Sequence, residues 1–142
     1  HPVAHSFPTR RSSDLLHVRG LVRFIMKLSE IRDILDCEVL VGEDQLDHTV
    51  FAGGGADLMD DILSAVAKGS VLLTGLTTEQ VIRTAKIAEV GAVVLVRGKR
   101  PKADILELAR SYELPVLRTR YSMFVASGRL YMNGLRGLDG SW

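Results

Sequence analysis

The chain has 142 residues, of which 46% are hydrophobic and 25% are charged. This composition is typical of one globular domain and excludes a largely disordered, collagen-like or disulfide-rich chain. No apolar run reaches the roughly 18 to 20 residues that a membrane-spanning helix needs, so we expect no membrane contact. The single cysteine, Cys37, excludes an internal disulfide and a cysteine-rich zinc site, and a lone thiol is compatible with a cytoplasmic protein.

Residues 1–25 show neither a helical nor an alternating hydrophobic period, and we expect them to be disordered and outside the fold. Within them, residues 5–15 read HSFPTRRSSDL, which resembles the translation of a sequencing-adapter oligonucleotide. We therefore expect a non-native extension and a natural start at Met26. A mitochondrial presequence, which is rich in arginine and serine, is the alternative.

The basic balance of the chain depends on that extension. The whole chain has a net charge of +1, but residues 1–25 hold four arginines and one aspartate, and the remainder has 14 basic and 16 acidic residues, a net charge of −2. Charge therefore gives no indication of a nucleic-acid partner. Three of the four histidines also lie in the extension, which leaves little material for a metal site, and we expect neither a metal nor a cofactor.

The first part of the body predicts one helix and two strands. Apolar residues at helical spacing predict a helix over 26–36, with Ser29 as its N-cap. A short strand is expected over 37–42, an acidic turn over 43–47 and a second strand over 48–52. The glycines at positions 53, 54 and 55 then predict a loop, and Asp57 is placed to cap a helix over 58–68.

From residue 71 onward, apolar strands alternate with amphipathic helices. Strands are predicted over 71–74 and 92–96, with a third beginning at 116–117. Helices are predicted over 78–90, 102–112 and 123–133. Their expected start signals are a capping box of Thr77 with Gln80, Pro101 at the first helical position, and Ser122 as an N-cap.

Successive strands begin 21 to 23 residues apart, which suits a strand followed by a crossover helix. We therefore predict an α/β fold: a small, mainly parallel sheet covered by helices, with 71–74 and 92–96 as central strands. The domain is expected to span residues 26–136, and residues 137–142 form a tail.

Ligands of open parallel sheets bind at the carboxyl ends of the strands, near helix N-termini. Four arginines and one lysine follow the last two predicted strands there, and they would form a phosphate-compatible rim if they converge. The candidate ligand-binding residues are Gly53, Gly54, Gly55, Thr74, Gly75, Thr77, Thr78, Arg97, Gly98, Arg118 and Thr119.

Structural interpretations of these residues stay open. Glycines reverse the chain at turns, and a threonine caps a helix without any ligand. Neither glycine-containing turn matches a phosphate-binding P-loop or a dinucleotide-binding fingerprint. Asp57, Asp60 and Asp61 fit either a hard-cation site or the acidic first turn of a helix. We find no convincing set of catalytic residues.

The last predicted helix carries two aromatic side chains on one face. Phe124 and Tyr131 lie seven residues apart, and the small residues Ser127 and Gly128 lie between them. Close packing inside the domain and a homodimer contact are both compatible with this pattern.

Several phrases together resemble the DRTGG domain family and the N-terminal, non-catalytic domain of HPr kinase/phosphorylase. They are CEVLVGEDQLDHTV, VLLTGLTTEQVIRTA, VVLVRGKRP and ELPVLRTRYSMFVASGRLY, and the resemblance covers nearly all of residues 26–134. The literal string Asp-Arg-Thr-Gly-Gly is absent, and its nearest counterparts are the turn at 74–78 and Arg97-Gly98.

The resemblance implies a small bacterial-type α/β module that is regulatory rather than enzymatic. Such a module would sense an adenine nucleotide or another phosphorylated small molecule, or dock a partner protein, as a homo-oligomer. The kinase's P-loop half has no counterpart here, so phosphotransfer does not follow from the resemblance. A small phosphotransferase that uses the threonine turn with Arg97 and Arg118, and a purely structural oligomerisation domain, are the alternatives.

Overall fold

A five-stranded sheet lies between two layers of helices in the computed structural model, which describes residues 15–18, 21–65 and 68–137. The described strands are β1 (Leu15–Val18), β2 (Leu21–Phe24), β3 (Met26–Lys27), β4 (Glu38–Val41), β5 (Thr49–Val50), β6 (Gly53–Gly55), β7 (Val71–Thr74), β8 (Ala92–Leu95) and β9 (Val116–Arg118). The α-helices are α1 (Leu28–Leu35), α2 (Met59–Ala65), α3 (Glu79–Ile87), α4 (Ala103–Ser111) and α5 (Met123–Met132).

The main sheet has the strand order β4-β9-β8-β7-β6. Strands β6, β7, β8 and β9 run parallel to one another, whereas β4 runs antiparallel to β9 at the edge. Every residue of β7 and β8 is buried, as expected for central strands whose two faces are both covered. The predicted α/β class and mainly parallel sheet are therefore confirmed.

Each face of the sheet has its own hydrophobic core. Helices α2, α3 and α4 pack on one face, where Ile62, Val81 and Ile105 meet strand residues such as Leu72. Helices α1 and α5 cover the other face, with side chains that include Leu28, Ile31, Ala126 and Leu130 around Leu73 and Leu117. The apolar strand residues supply both cores because successive side chains point to opposite faces.

The glycine run forms an edge strand rather than the predicted loop. Gly53–Gly55 pairs in parallel with β7, and the Gly53 amide also donates to the Arg136 carbonyl at 3.0 Å. A Cβ at Gly55 would lie 2.7 Å from Met123 Sδ, so glycine lets α5 pack close to this strand. The predicted strand over 48–52 is shorter than expected, since only Thr49–Val50 is a strand and it pairs with β3 outside the main sheet.

Two predicted N-caps are displaced by one or more residues. Helix α1 begins after Lys27, whose backbone amide donates to the Glu30 carboxylate at 2.9 Å, so Ser29 is inside the helix. Helix α3 is capped by Thr78, whose hydroxyl accepts from the Val81 amide, instead of by Thr77. Adjacent hydroxyl residues can each cap a helix, and the chain direction entering the helix decides between them.

The last two helices differ in how well their starts are predicted. Pro101 lies outside α4, because Lys102 occupies the N-cap and the helix begins at Ala103. Ser122 caps α5 as predicted, with its hydroxyl accepting from the Val125 amide at 3.2 Å. Gly134 follows this helix with a positive φ of 106°, the conformation that favours glycine after a helix end.

Strands β1 and β2 form an antiparallel hairpin of their own, in register from Leu15–Phe24 to Val18–Leu21. The expectation that residues 1–25 are wholly without regular structure is therefore wrong for these eight residues. The hairpin is a sheet separate from the five-stranded sheet. The adapter-like residues 5–14 and the expected tail at 138–142 lie outside the described residues, so the non-native origin of the extension stays a prediction.

Truncation of Leu72 tests the central position of β7. Its side chain is fully buried under α2 and α3, so Leu72→Ala is expected to lower the free energy of unfolding by about 2 to 5 kcal/mol. Urea denaturation followed by circular dichroism measures the loss. Leu58→Ala is the control, because Leu58 is 66% exposed and its truncation should leave stability nearly unchanged. An equal effect of the two substitutions would contradict the assignment.

Deletion of residues 1–25 tests whether the hairpin belongs to the fold. Met26, which is 1% exposed, already lies in the core, and β1 and β2 pair with each other instead of extending the main sheet. The melting temperature of the chain beginning at Met26 should match that of the full chain in a thermal melt. A large decrease would show that the extension stabilises the domain.

Candidate functional site

Basic side chains gather at the edge of the sheet where β7, β8 and β9 end. We call Arg97, Lys99, Arg100, Arg118 and Arg120 the basic rim. Because these strands are parallel, the loops that follow them lie at the same edge. The convergence expected from the sequence is therefore set by the direction of the strands.

Backbone hydrogen bonds hold the loops after β8 and β9 together. The Arg97 amide donates to the Tyr121 carbonyl and the Gly98 amide to the Thr119 carbonyl, both at 2.8 Å. The Arg118 side chain adds a bond from Nε to the Gly98 carbonyl at 3.0 Å. These bonds place the rim residues of the two loops side by side.

Arg97 connects the rim to the turn after β7. Its backbone has a φ of +62°, an uncommon conformation for a residue with a side chain. The guanidinium lies against Gly75 so closely that a Cβ at that position would overlap it. Gly75 is thus required by the close approach of an arginine, and the structure brings these two predicted residues together.

The amide of that turn already has an acidic partner. Asp57 Oδ1 accepts hydrogen bonds from the Gly75 amide at 2.8 Å and from the Thr74 hydroxyl at 3.0 Å. Thr74 is fully buried, and its oxygen also accepts from the Leu76 amide. Thr77 is half-buried between this bonded turn and the cap residue Thr78. The turn therefore serves internal hydrogen bonds, and Asp57 connects the chain after β6 to the turn after β7.

Thr119 has a structural position. It is 1% exposed, and its hydroxyl donates to the Leu35 carbonyl at 2.6 Å, which joins the loop after β9 to the end of α1. The same oxygen accepts from the Tyr121 amide at 3.3 Å. These bonds orient the loop that carries Arg118 and Arg120.

One carboxylate lies within the rim. Glu38 Oε1 accepts from Arg100 Nη2 at 2.7 Å and from Arg118 Nη1 at 3.2 Å. The antiparallel direction of β4 brings its first residue to the edge where β9 ends. Among the described residues, Arg97 and Arg120 form no ion pair with an acid, so the rim carries an excess of positive charge.

A groove of about 520 Å³ runs beside the rim, between the end of α1 and the loop after β9. Its wall combines Arg118 and Arg120 with two acidic residues, Asp36 and Glu38, and with Leu35 and Tyr121. The Arg129 guanidinium lies 4.4 Å from the centroid of the Tyr121 ring, a cation–π contact. The groove therefore offers guanidinium groups, carboxylates and apolar surface side by side.

Cys37 also lines this groove, but its thiol is not poised to react as a nucleophile. Burial, with a smaller contribution from the neighbouring Asp36 carboxylate, raises the pKa of Cys37 from 9.0 to about 12. At neutral pH the side chain is a thiol and not a thiolate.

The remaining candidate residues lie apart from the rim. Gly53, Gly54 and Gly55 line a smaller pocket between β6 and α5, together with Leu73 and Tyr131. Asp60 and Asp61 occupy the first turn of α2, where the helix dipole favours acidic side chains. Over the described ranges, no three His, Cys, Asp or Glu side chains group in a way that would hold a metal ion.

Sequence reasoning missed Glu38 and the role of Asp57. Asp57 lies two residues beyond the end of β6, so recognition of the glycine run as a strand would have placed it at this edge. Glu38 is the first residue of its strand, and only the antiparallel direction of β4 brings it to the rim. Local sequence carries no signal for that direction.

Comparisons with known proteins give one family and one fold. The DRTGG domain model matches residues 30–132. A solved structure of the CBS and DRTGG domains of the regulatory region of Clostridium perfringens pyrophosphatase, complexed with the activator diadenosine tetraphosphate, is similar to this chain, with a TM-score of 0.61 and 19% sequence identity. The match covers 77% of this chain and 46% of that one, and no curated protein sequence matches. Among the described helices, none has the length and apolar character to cross a membrane.

Thr119→Val tests the structural position of this residue. Valine keeps the shape but leaves the buried Leu35 carbonyl and the Tyr121 amide without their partner, so the free energy of unfolding should fall by about 1 to 3 kcal/mol. Chemical denaturation measures the change. Thr49→Val, at an exposed position of β5, is the matched control and should have little effect. Unchanged stability of Thr119→Val would contradict the position assigned to Thr119.

Proposed function

This chain belongs to the DRTGG domain family, and we propose that it is a non-enzymatic regulatory module that binds a phosphorylated small molecule, such as an adenine nucleotide, at the basic rim. The convergence of arginines from two loops at one edge of the sheet supports this proposal above all. The bound state would be transmitted to a second copy or to a partner protein. A bacterial cytoplasm is the proposed location, with which the lone free thiol of Cys37 is compatible.

Charge supports a phosphate ligand. Glu38 offsets part of the charge of Arg100 and Arg118, while Arg97, Lys99 and Arg120 bring further positive charge to the same edge. Guanidinium groups bind phosphate through paired, charge-assisted hydrogen bonds. The turn after β7 contributes less, since its Gly75 amide is already bonded to Asp57. The arginines are therefore the proposed phosphate ligands.

The groove supports a ligand that has an apolar part beside its phosphates. Leu35 and Tyr121 form a wall next to Arg118 and Arg120, and a purine ring fits between apolar and guanidinium surfaces. The similar structure from Clostridium perfringens belongs to the regulatory region of an enzyme and contains a diadenosine nucleotide. An adenine nucleotide is accordingly the first ligand to test.

Glu38 acts in this proposal as an internal competitor. Its carboxylate occupies Arg100 and Arg118 as a ligand phosphate would, so an incoming anion has to displace it. Displacement would free the first residue of β4, the edge strand that follows α1. Ligand binding is thereby connected to the position of α1 and its neighbouring strand.

Calorimetric titration of the full chain tests the proposal, with AMP, ATP, diadenosine tetraphosphate and inorganic tripolyphosphate as probes. At least one probe should bind. Arg97→Ala and Arg120→Ala should each weaken that binding about tenfold, because each removes a charge-assisted hydrogen bond, and Glu38→Gln should strengthen it by removing the competitor. The dissociation constants are the readout.

Arg83→Ala is the matched control, since Arg83 is an exposed arginine on α3 that pairs with Glu79 away from the rim. It should leave the dissociation constant unchanged. Absence of heat with every probe, or equal effects of Arg83→Ala and Arg97→Ala, would contradict the proposed site. Turnover of ATP that is lost in Arg97→Ala would show instead a phosphotransferase.

A further inference from the structure

The outward face of α5 is apolar and exposed among the residues that the structure describes. Phe124 is 87% exposed, Met132 is 56% exposed, and Tyr131 and Val125 are each about two-fifths exposed. A Cβ added at Gly128 would meet nothing within 4 Å, so no described part of the domain approaches this position. Gly128 therefore does not mediate close packing inside the described domain, which is one of the two interpretations of the Ser127-Gly128 pair.

The apolar residues are spaced symmetrically about Gly128. Phe124 and Met132 lie four residues before and after it, and Val125 and Tyr131 lie three residues before and after it. Because seven residues make nearly two full turns, Phe124 shares one side of the helix with Tyr131, and Val125 shares the other side with Met132. In an antiparallel pair of α5 helices with a two-fold axis at Gly128, each Phe124 would therefore meet the other copy's Tyr131, and each Val125 the other copy's Met132. Self-complementarity of this kind is what a two-fold dimer interface requires.

A pocket beside the same face supplies the matching cavity. It has a volume of about 200 Å³ and lies between β6 and α5. Its lining is mainly apolar and includes Leu73, Leu130, Tyr131 and Leu135, with Arg136 as the charged member. The glycines of β6 keep its wall free of side chains. Tyr131 belongs both to the pocket lining and to the exposed face, so the pocket and the protruding Phe124 are carried by one helix.

We propose that α5 is the interface of a two-fold homodimer in which each Phe124 enters the pocket of the other copy beside Tyr131. A second copy fits this surface because an aromatic anchor and an apolar pocket occur on the same helix of one chain. Glycine at the crossing point permits close approach of the two helices. The inference is independent of the ligand site on the basic rim.

Electrostatics is compatible with this pairing. Helix α5 has no acidic residue, and Arg129 is its only charged residue. The Arg129 guanidinium stacks on Tyr121, and that of Arg136 lies 4.3 Å from the centroid of the Tyr131 ring. Both guanidinium groups thus stack on aromatic rings of their own chain. The helix surface around Gly128 therefore offers mainly apolar contacts to a second copy.

Sedimentation velocity of the full chain over a concentration series tests the interface. The wild type should dimerise, and Phe124→Asp should weaken the dimer about 100-fold, because it removes the aromatic anchor and places a short carboxylate in a mainly apolar pocket. Ile87→Asp is the matched control, since Ile87 is 72% exposed on α3 at the opposite face of the sheet. It should leave the association constant unchanged. Equal circular dichroism spectra establish that both variants fold.

Oxidative cross-linking places the two-fold axis. In a Cys37→Ser background, Gly128→Cys should form an intermolecular disulfide rapidly, because the two introduced thiols face each other across the axis, whereas Ile87→Cys should not. A wild type that stays monomeric at high concentration would overturn the inference. So would a dimer that survives Phe124→Asp and does not cross-link through residue 128. If the Phe124→Asp variant loses the dimer but still binds nucleotide, failure of the dimer interface and failure of the proposed ligand site are distinguished.

Discussion

Two backbone hydrogen bonds, Arg97 to Tyr121 and Gly98 to Thr119, determine what this domain presents at the carboxyl edge of its sheet. They continue the pairing of β8 and β9 beyond the last strand residues. Without them, the two loops could separate and their arginines would lie apart in solvent. With them, the Arg118 side chain bonds the Gly98 carbonyl, and Arg97 turns across Gly75. The buried Thr119 hydroxyl fixes the same loop to α1.

This arrangement brings positively charged side chains close together, and their mutual repulsion is unfavourable. Glu38 reduces that repulsion by accepting from two guanidinium groups with one oxygen. These exposed pairs add little to stability, because surface ion pairs are screened by solvent. In the proposed function, their significance is that the carboxylate occupies the position that a ligand phosphate would take. A rim that is partly neutralised by its own acid can respond to a stronger anion, which is the behaviour that a sensing module needs.

The sequence predicts the central part of the fold because apolar runs such as 71–74 and 92–95 allow only fully buried strands. Gly53–Gly55 is missed as a strand because glycine carries no side chain from which a period could be read. The sequence alone does not show which of the adjacent residues Thr77 and Thr78 caps α3. The direction of β4, and with it the position of Glu38, depends on the pairing of residues about 80 positions apart. Parallel strands predict that Arg97, Gly98 and Arg118 lie at one edge of the sheet. The sequence does not predict that the hydroxyls of Thr74 and Thr119 bond within the domain.

The exposed face of α5 and the basic rim belong to different parts of the same chain, so one can be lost without the other. The binding claim is tested most directly by a heteronuclear NMR titration with ATP that follows backbone amides and arginine Nε–H signals. The account predicts shifts centred on Gly75, Gly98 and the side chains of Arg97 and Arg118. Shifts confined to the opposite edge of the sheet, around Gly42 and Gln45, would contradict it.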